Sequence, residues 1–163
     1  MSIAQILVAN YQFNRARTLG LLEKIEQEPD ARVPLGWRPG PGRAHIAWQL
    51  MHIGITEELF ASERLAPEKP GAFTELWPRF RGGSTPDDDI PTPAAIRRVL
   101  AESREHLLAT IDGYGDDRLA EIPPAMAARK MTVPDVLHIL NWHEAHHQGQ
   151  AHITFNLYKA RMQ

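Results

Sequence analysis

The sequence contains no cysteine, which excludes disulfide bonds, cysteine-ligated zinc sites and any thiol nucleophile supplied by the chain. It also has no block of basic residues and a formal net charge of −2. This argues against a nucleic-acid-binding surface, because phosphate recognition needs clustered lysine and arginine. No run approaches the roughly 18 apolar residues of a membrane span, and the first residues lack the basic-then-apolar order of a signal peptide. We therefore expect a cytoplasmic protein that binds neither nucleic acid nor membrane.

The composition is that of an ordinary globular protein: of 163 residues, 43% are hydrophobic and 23% are charged. This length is sufficient for one domain with a substantial core. No internal repeat divides the chain, so we expect a single domain over residues 1–163.

Four segments place apolar residues three and four positions apart, the spacing of one face of an α-helix. They run from about Ser2 to Gln27, Arg43 to Leu65, Thr92 to Asp112 and Thr132 to Ala160. No segment shows the period-two alternation typical of strands. The pattern predicts an all-α four-helix bundle. Residues 29–42 form a predicted loop, and a long loop over residues 66–91, whose aromatic side chains pack against the bundle, joins the second and third helices.

Histidine is concentrated in the fourth predicted helix, which contains five of the eight histidines. His143 and His147 are four residues apart, so they share one helical face and can bind the same ion. Such a pair is incomplete, because zinc-like ions take at least three protein ligands. The second predicted helix offers two further candidates, His52 in mid-helix and His45 about 10 Å away along the axis.

We favour His52 because the middle of a bundle is dry and rigid, so the predicted metal ligands are His52, His143 and His147. A single histidine on an apolar face is more often a hydrogen-bonded core residue; the combination of three on two helices favours a metal site. Neutral side chains are expected to face this site and to line a pocket or support the ligands: Tyr11, Asn14, Trp48, Gln49, Gln150 and Thr154. Helical spacing rotates Glu57, Glu58 and Glu144 away, so no catalytic residue is predicted.

The segment His143-Glu144-Ala145-His146-His147 also matches the His-Glu-x-x-His motif of zinc metalloproteases, in which the glutamate is the general base. Gly149 and His152 each come one residue too early for the extended form of that motif. No acidic residue follows His147 to serve as a third ligand, and no sheet is predicted that would hold a peptide. The protease interpretation is therefore disfavoured.

Two stretches of the sequence resemble the DinB-like (DinB/YfiT-like) superfamily of metal-binding four-helix bundles. They are residues 40–53, which begin Gly40-Pro41-Gly42-Arg43, and residues 141–150. The family pattern has one ligand in the second helix and an His-x-x-x-His pair in the last, followed by a Gly-Gln step; His52, His143, His147, Gly149 and Gln150 match it. The resemblance implies an up-down-down-up connectivity and allows a homodimer. It leaves the activity open, since the family includes thiol-dependent transferases, hydrolases and members without a known activity.

Three imidazoles would leave coordination positions open on a divalent transition metal, with zinc or nickel favoured and iron also suitable. Two hypotheses follow. One is a metal-dependent enzyme acting on a small-molecule substrate, either a thiol S-transferase with a low-molecular-weight thiol as co-substrate or a hydrolase that activates water. The other is a non-catalytic, stress-associated metal-binding protein. An open site beside a pocket favours the enzyme, whereas a fourth protein ligand favours the binding protein.

Overall fold

The computed structural model describes residues 3–162, and over this range every regular element is helical. Four long helices make up the fold: α1 (Ile3–Glu26), α3 (Ile46–Leu59), α5 (Pro93–Tyr114) and α6 (Val133–Met162). Two short helices, α2 (Arg32–Gly36) and α4 (Trp77–Phe80), lie in the connections. The predicted all-α fold is confirmed. Ser2, the predicted start of the first helix, lies outside the described residues.

Side-chain hydrogen bonds mark the start of each of the last two long helices. At α5 the hydroxyl of Thr92 accepts the backbone N–H of Ala95 at 3.2 Å, and Pro93 occupies the first helical position. At α6 the carboxylate of Asp135 accepts the backbone N–H of Thr132 at 2.9 Å and its hydroxyl at 2.7 Å. These contacts satisfy polar groups that the first helical turn leaves without an internal partner.

The helix α3 begins at Ile46, three residues later than the sequence predicts, because His45 caps it. The backbone of His45 is extended, and its Nδ1 accepts the backbone N–H of Trp48 at 3.0 Å. At the other end, α3 continues into a π-helical turn, Phe60–Leu65, so the helical segment ends at the predicted residue.

The four long helices pack as a ring, with α1 and α3 each in contact with both α5 and α6. Side-chain contacts show that α1 and α6 run in one direction and that α3 and α5 run in the other. These contacts are Tyr11–Leu137 and Thr18–Glu144 between α1 and α6, Tyr11–Arg104 and Arg15–Leu100 between α1 and α5, and Gln49–His147 and His52–His143 between α3 and α6.

Both connections around α3 contain more structure than the predicted loops. Residues 29–42 include α2, where the side chain of Asp30 accepts the backbone N–H of Arg32 at 2.9 Å and Leu35 is fully buried. The α3–α5 connection contains a 3₁₀ turn, Thr74–Leu76, and α4. Its aromatic residues Phe73 and Phe80 belong to the buried core, as predicted. Among residues 3–162, no helix is both long and apolar enough to span a bilayer.

Candidate metal centre

Three histidines from α3 and α6 converge at one place between the two helices. The Nε2 atoms of His52 and His143 lie 3.0 Å apart, and His147 is one helical turn beyond His143. One nitrogen from each ring lies within 4.8 Å of the others. His52 is buried, while His143 and His147 are half-buried.

The spacing of the His52 and His143 Nε2 atoms fits a bound divalent ion. Two nitrogen ligands at about 2.0–2.1 Å from zinc lie roughly 3 Å apart at tetrahedral or octahedral angles. Within residues 3–162, no other histidine, aspartate or glutamate joins the three in a cluster with ligand spacing. The arrangement therefore offers three nitrogen donors and leaves further coordination positions without a protein ligand.

Hydrogen bonds behind two of the histidines fix which ring nitrogen faces the cluster. His52 Nδ1 donates to the backbone carbonyl of Phe80 at 2.6 Å, so its Nε2 carries the free lone pair. His147 Nδ1 donates to Oε1 of Gln49, which directs its Nε2 in the same way. Such partners hold a ligand's tautomer and ring orientation in metal sites.

Trp48 and the α3–α5 connection support His52 from the other side. The Trp48 ring stacks on His52 with centroids 4.5 Å apart, and its Nε1 donates to the carbonyl of Arg79 at 3.1 Å. Gly82 approaches the same imidazole, since a Cβ built there would lie 3.9 Å from His52 Cε1. The α3–α5 connection around Phe80 therefore fixes the position of the His52 imidazole, although His52 itself belongs to α3.

Burial keeps the three imidazoles neutral near neutral pH. It lowers the pKa of His52, and together with repulsion from the neighbouring histidines it lowers the pKa of His143 to about 3 and that of His147 to about 4. Neutral imidazole is the form that binds a metal, so protons compete weakly for these nitrogens.

The remaining histidines of the two helices are engaged elsewhere. Both ring nitrogens of His45 are used, Nδ1 by the helix cap and Nε2 as a donor to the carbonyl of Asp87 at 2.9 Å. His146 is exposed, stacks on Trp142 and pairs with the amide of Gln150 at 2.7 Å. His138 and His152 are exposed on other faces of α6.

Apart from Trp48, which stacks on His52, the neutral residues expected around the site divide into two groups. Gln49, Gln150 and Thr154 line one cavity of about 360 Å³ between α3 and α6, here called the Gln49 cavity. Tyr11 and Asn14 lie at the α1–α6 contact instead: the Tyr11 hydroxyl donates to the carbonyl of Leu137 at 2.6 Å, and the Asn14 amide donates to the Asn141 side chain at 2.6 Å. Tyr11 and Asn14 are therefore packing residues of the bundle in this structure.

The structure contains a closed ring of four buried charges that was not predicted from the sequence, with one residue from each long helix. Arg15 contacts Glu57 at 2.9 Å and Glu144 at 2.7 Å, and Arg104 contacts the same two carboxylates. All four side chains are less than a tenth exposed. On every helix the charged residue lies between the two apolar core clusters. The sequence did contain a signal for this ring, because the charged residues occupy positions on the buried faces of their helices. Arg15, for example, lies four residues after Tyr11 and three before Thr18, both of which are buried.

The charge ring engages Glu57 and Glu144, two of the three carboxylates that lie close to the histidines in the sequence. Glu144 also accepts the hydroxyl of Thr18 at 2.8 Å, so it faces the bundle interior. The third carboxylate, Glu58, accepts the backbone N–H groups of Ala72 and Phe73 and the indole N–H of Trp77. Since every one of these carboxylates has its own partners, none is free to act as a base at the histidine cluster.

Comparison with known proteins yields one family match. A family model described as the DinB superfamily matches residues 10–151, most of the chain and all of the residues of the histidine cluster. Neither the curated proteins nor the solved structures include a match to the chain.

Proposed function

The chain belongs to the DinB superfamily, and we propose that it is a metal-dependent enzyme that activates a small thiol, with a thiol S-transferase-like activity. The observation that carries this proposal is the convergence of His52, His143 and His147 with no further histidine or carboxylate in the cluster among the described residues. A divalent ion at this site would supply Lewis-acid activation, because it lowers the pKa of a small coordinated nucleophile. Three neutral imidazoles suit zinc or nickel, and iron is also compatible.

The nucleophile has to come from outside the chain. The protein has no cysteine. Glu57 and Glu144 are held by Arg15 and Arg104, and Glu58 is held by backbone N–H groups, so no carboxylate near the site is available to deprotonate water. A low-molecular-weight thiol needs less help, because its pKa of about 8.5 is far below that of water. This difference favours thiol transfer over hydrolysis.

The chain's own residues prepare the site for such a substrate. Gln49 and the Phe80 carbonyl hold His147 and His52 with their Nε2 atoms towards the cluster. The Gln49 cavity adjoins the same cluster, because Gln49 contacts His147 and also forms part of the cavity wall. The three histidines do not line the cavity themselves, so a small molecule in it would lie beside Gln49, which in turn contacts His147.

A conjugation assay tests the proposal. Protein loaded with zinc or nickel should accelerate the reaction of small thiols with 1-chloro-2,4-dinitrobenzene, in which a carbon–sulfur bond forms, chloride leaves and the thiol proton passes to solvent. Metal removal and His147→Ala should each abolish the acceleration, whereas His146→Ala, one residue away, should retain it.

Calorimetry separates this activity from its alternatives. If metal-loaded protein binds none of the thiols, thiol transfer is wrong. Metal binding with hydrolysis of test esters or amides would then support a hydrolase, and metal binding without either reaction would support a non-catalytic metal-binding protein.

A further inference from the structure

Arg43 is the one charged residue that lines the Gln49 cavity. The polar lining is otherwise neutral and comes from Gln49, Gln150 and Thr154, while Ile153 and Leu157 of α6 provide apolar surface. No carboxylate lines the cavity, so its only fixed charge is positive.

The guanidinium of Arg43 is available to a ligand although its backbone is fixed. The Arg43 N–H donates to the carbonyl of Gly40 at 3.2 Å, and the Arg43 carbonyl accepts from the side chain of Arg38 at 3.3 Å. The Arg43 side chain itself makes no hydrogen bond or ion pair within the described part of the chain. The acidic run that could neutralise it is already paired: Asp88 with Arg38, and Asp87 and Asp89 with Arg79.

Gln49 lies between the Arg43 side chain and the histidine cluster, because it shares the cavity wall with Arg43 and contacts His147. Its Oε1 accepts from His147, which leaves the amide nitrogen, without a partner among residues 3–162, as a hydrogen-bond donor on the cavity wall. Arg43 and Gln49 line the same cavity, and Gln49 is the lining residue that contacts His147, so a ligand that spans from Arg43 to the candidate metal position would have to pass Gln49. Arginine recognises carboxylates through paired, charge-assisted hydrogen bonds, which makes a carboxylate the group that best matches Arg43.

We propose that the Gln49 cavity binds the carboxylate of a small substrate and that Arg43 determines this specificity, so that the thiol used by the protein is a carboxylate-bearing one. The statement that the bound substrate reacts through a thiol rests on the proposed function. The binding of a carboxylate at Arg43 does not depend on it. Ile153 and Leu157 would contact the aliphatic part that joins carboxylate and thiol.

Paired thiols provide the test. Cobalt-substituted protein is titrated with mercaptoalkanoates of increasing chain length and with mercaptoalkanols of the same length, and thiolate binding is followed by the sulfur-to-cobalt absorption. At the best chain length, the carboxylate should bind at least about tenfold more tightly than the alcohol. Arg43→Gln should remove this preference without changing cobalt content, and Arg43→Lys should retain part of it.

Two further arginine variants act as controls. Arg129→Gln removes an exposed charge remote from the cavity and should leave the preference intact. Arg81→Gln removes an exposed charge next to the Phe80 carbonyl. If Arg81→Gln abolishes the preference and Arg43→Gln does not, the assignment to Arg43 is wrong.

Simple alkyl carboxylates, titrated by calorimetry into metal-free protein, separate this inference from the proposed function. Binding of hexanoate to the wild type but not to Arg43→Gln, with no thiol bound by the cobalt protein, would uphold the carboxylate site and reject thiol transfer. Thiols that bind equally well with and without a carboxylate would uphold thiol binding and overturn the role of Arg43.

Discussion

His143 and Glu144 are neighbours in the sequence but lie on different sides of α6. His143 Nε2 is 3.0 Å from His52 Nε2, whereas Glu144 Oε1 is 2.7 Å from Nε of Arg15 inside the bundle. One residue step rotates a side chain by about 100° around a helix, which is enough to separate the two environments. The His-Glu-x-x-His sequence is therefore divided between a candidate metal cluster and a buried ion-pair ring.

Replacing Glu144 should impair stability far more than any metal-dependent activity. Glu144→Gln leaves Arg15 and Arg104 without one of their two buried partners, and breaking a buried ion pair typically costs about 3–5 kcal/mol. Urea unfolding should show a loss of this order, while Glu105→Gln, on the exposed face of α5, should change stability by less than about 0.5 kcal/mol. Folded Glu144→Gln should keep its metal and retain activity within about tenfold. A fall of about 10²–10⁴-fold with metal and fold intact would instead identify a general base.

His52→Ala should remove most of the bound metal, because the remaining pair, His143 and His147, comes from one helix and supplies only two ligands. His146→Ala should remain close to stoichiometric, since His146 is exposed and contacts Trp142 and Gln150. Metal analysis after dialysis measures the metal content of these two variants and of His45→Ala. Loss of metal in His45→Ala but not in His52→Ala would show that the wrong histidine of α3 had been assigned.

Gln49→Leu should weaken metal binding without preventing it. The substitution removes the acceptor for His147 Nδ1, and loss of such a partner typically lowers metal affinity about 10–100-fold. Competition with a chromophoric chelator gives the affinity. Gln12→Leu, an exposed glutamine on α1, is the matched control and should bind metal as the wild type does. An unchanged affinity in Gln49→Leu would mean that this hydrogen bond does not orient the ligand.

The cap formed by His45 should make stability depend on pH. Burial lowers the pKa of His45 below its ordinary value of 6.5, so the unfolded chain binds a proton at a higher pH than the folded chain does. The stability that neutral His45 contributes is therefore present above pH 6.5 and is lost as the pH falls below it. His45→Asn keeps a capping side chain that does not titrate in this range. The difference in unfolding free energy between this variant and the wild type, in the same metal state, should shift in favour of the variant between about pH 7.5 and about pH 5.5. A constant difference would contradict the prediction.

Asp87 and Phe80 distinguish His45 from His52 as candidate ligands, and their roles could not be predicted from the sequence. Both histidines lie on an apolar side of the second predicted helix. In the structure, Asp87 and Trp48 use the two ring nitrogens of His45, while Phe80 uses only one of those of His52. Asp87 and Phe80 belong to the long α3–α5 connection, whose path depends on tertiary contacts and not on helical spacing.

The sequence by itself determined the helices and the face that His143 and His147 share, because backbone hydrogen bonding imposes a local period of 3.6 residues. The same period showed that Glu144 turns away from that face. Only the tertiary structure decided where it turns to: Arg15, Glu57, Arg104 and Glu144 come from four separate helices and meet through packing. The Gln49 cavity with its unpaired Arg43 likewise exists only once α3 and α6 lie side by side. Contacts between residues far apart in the chain follow from how whole faces pack together, and a local periodicity contains no information about that arrangement.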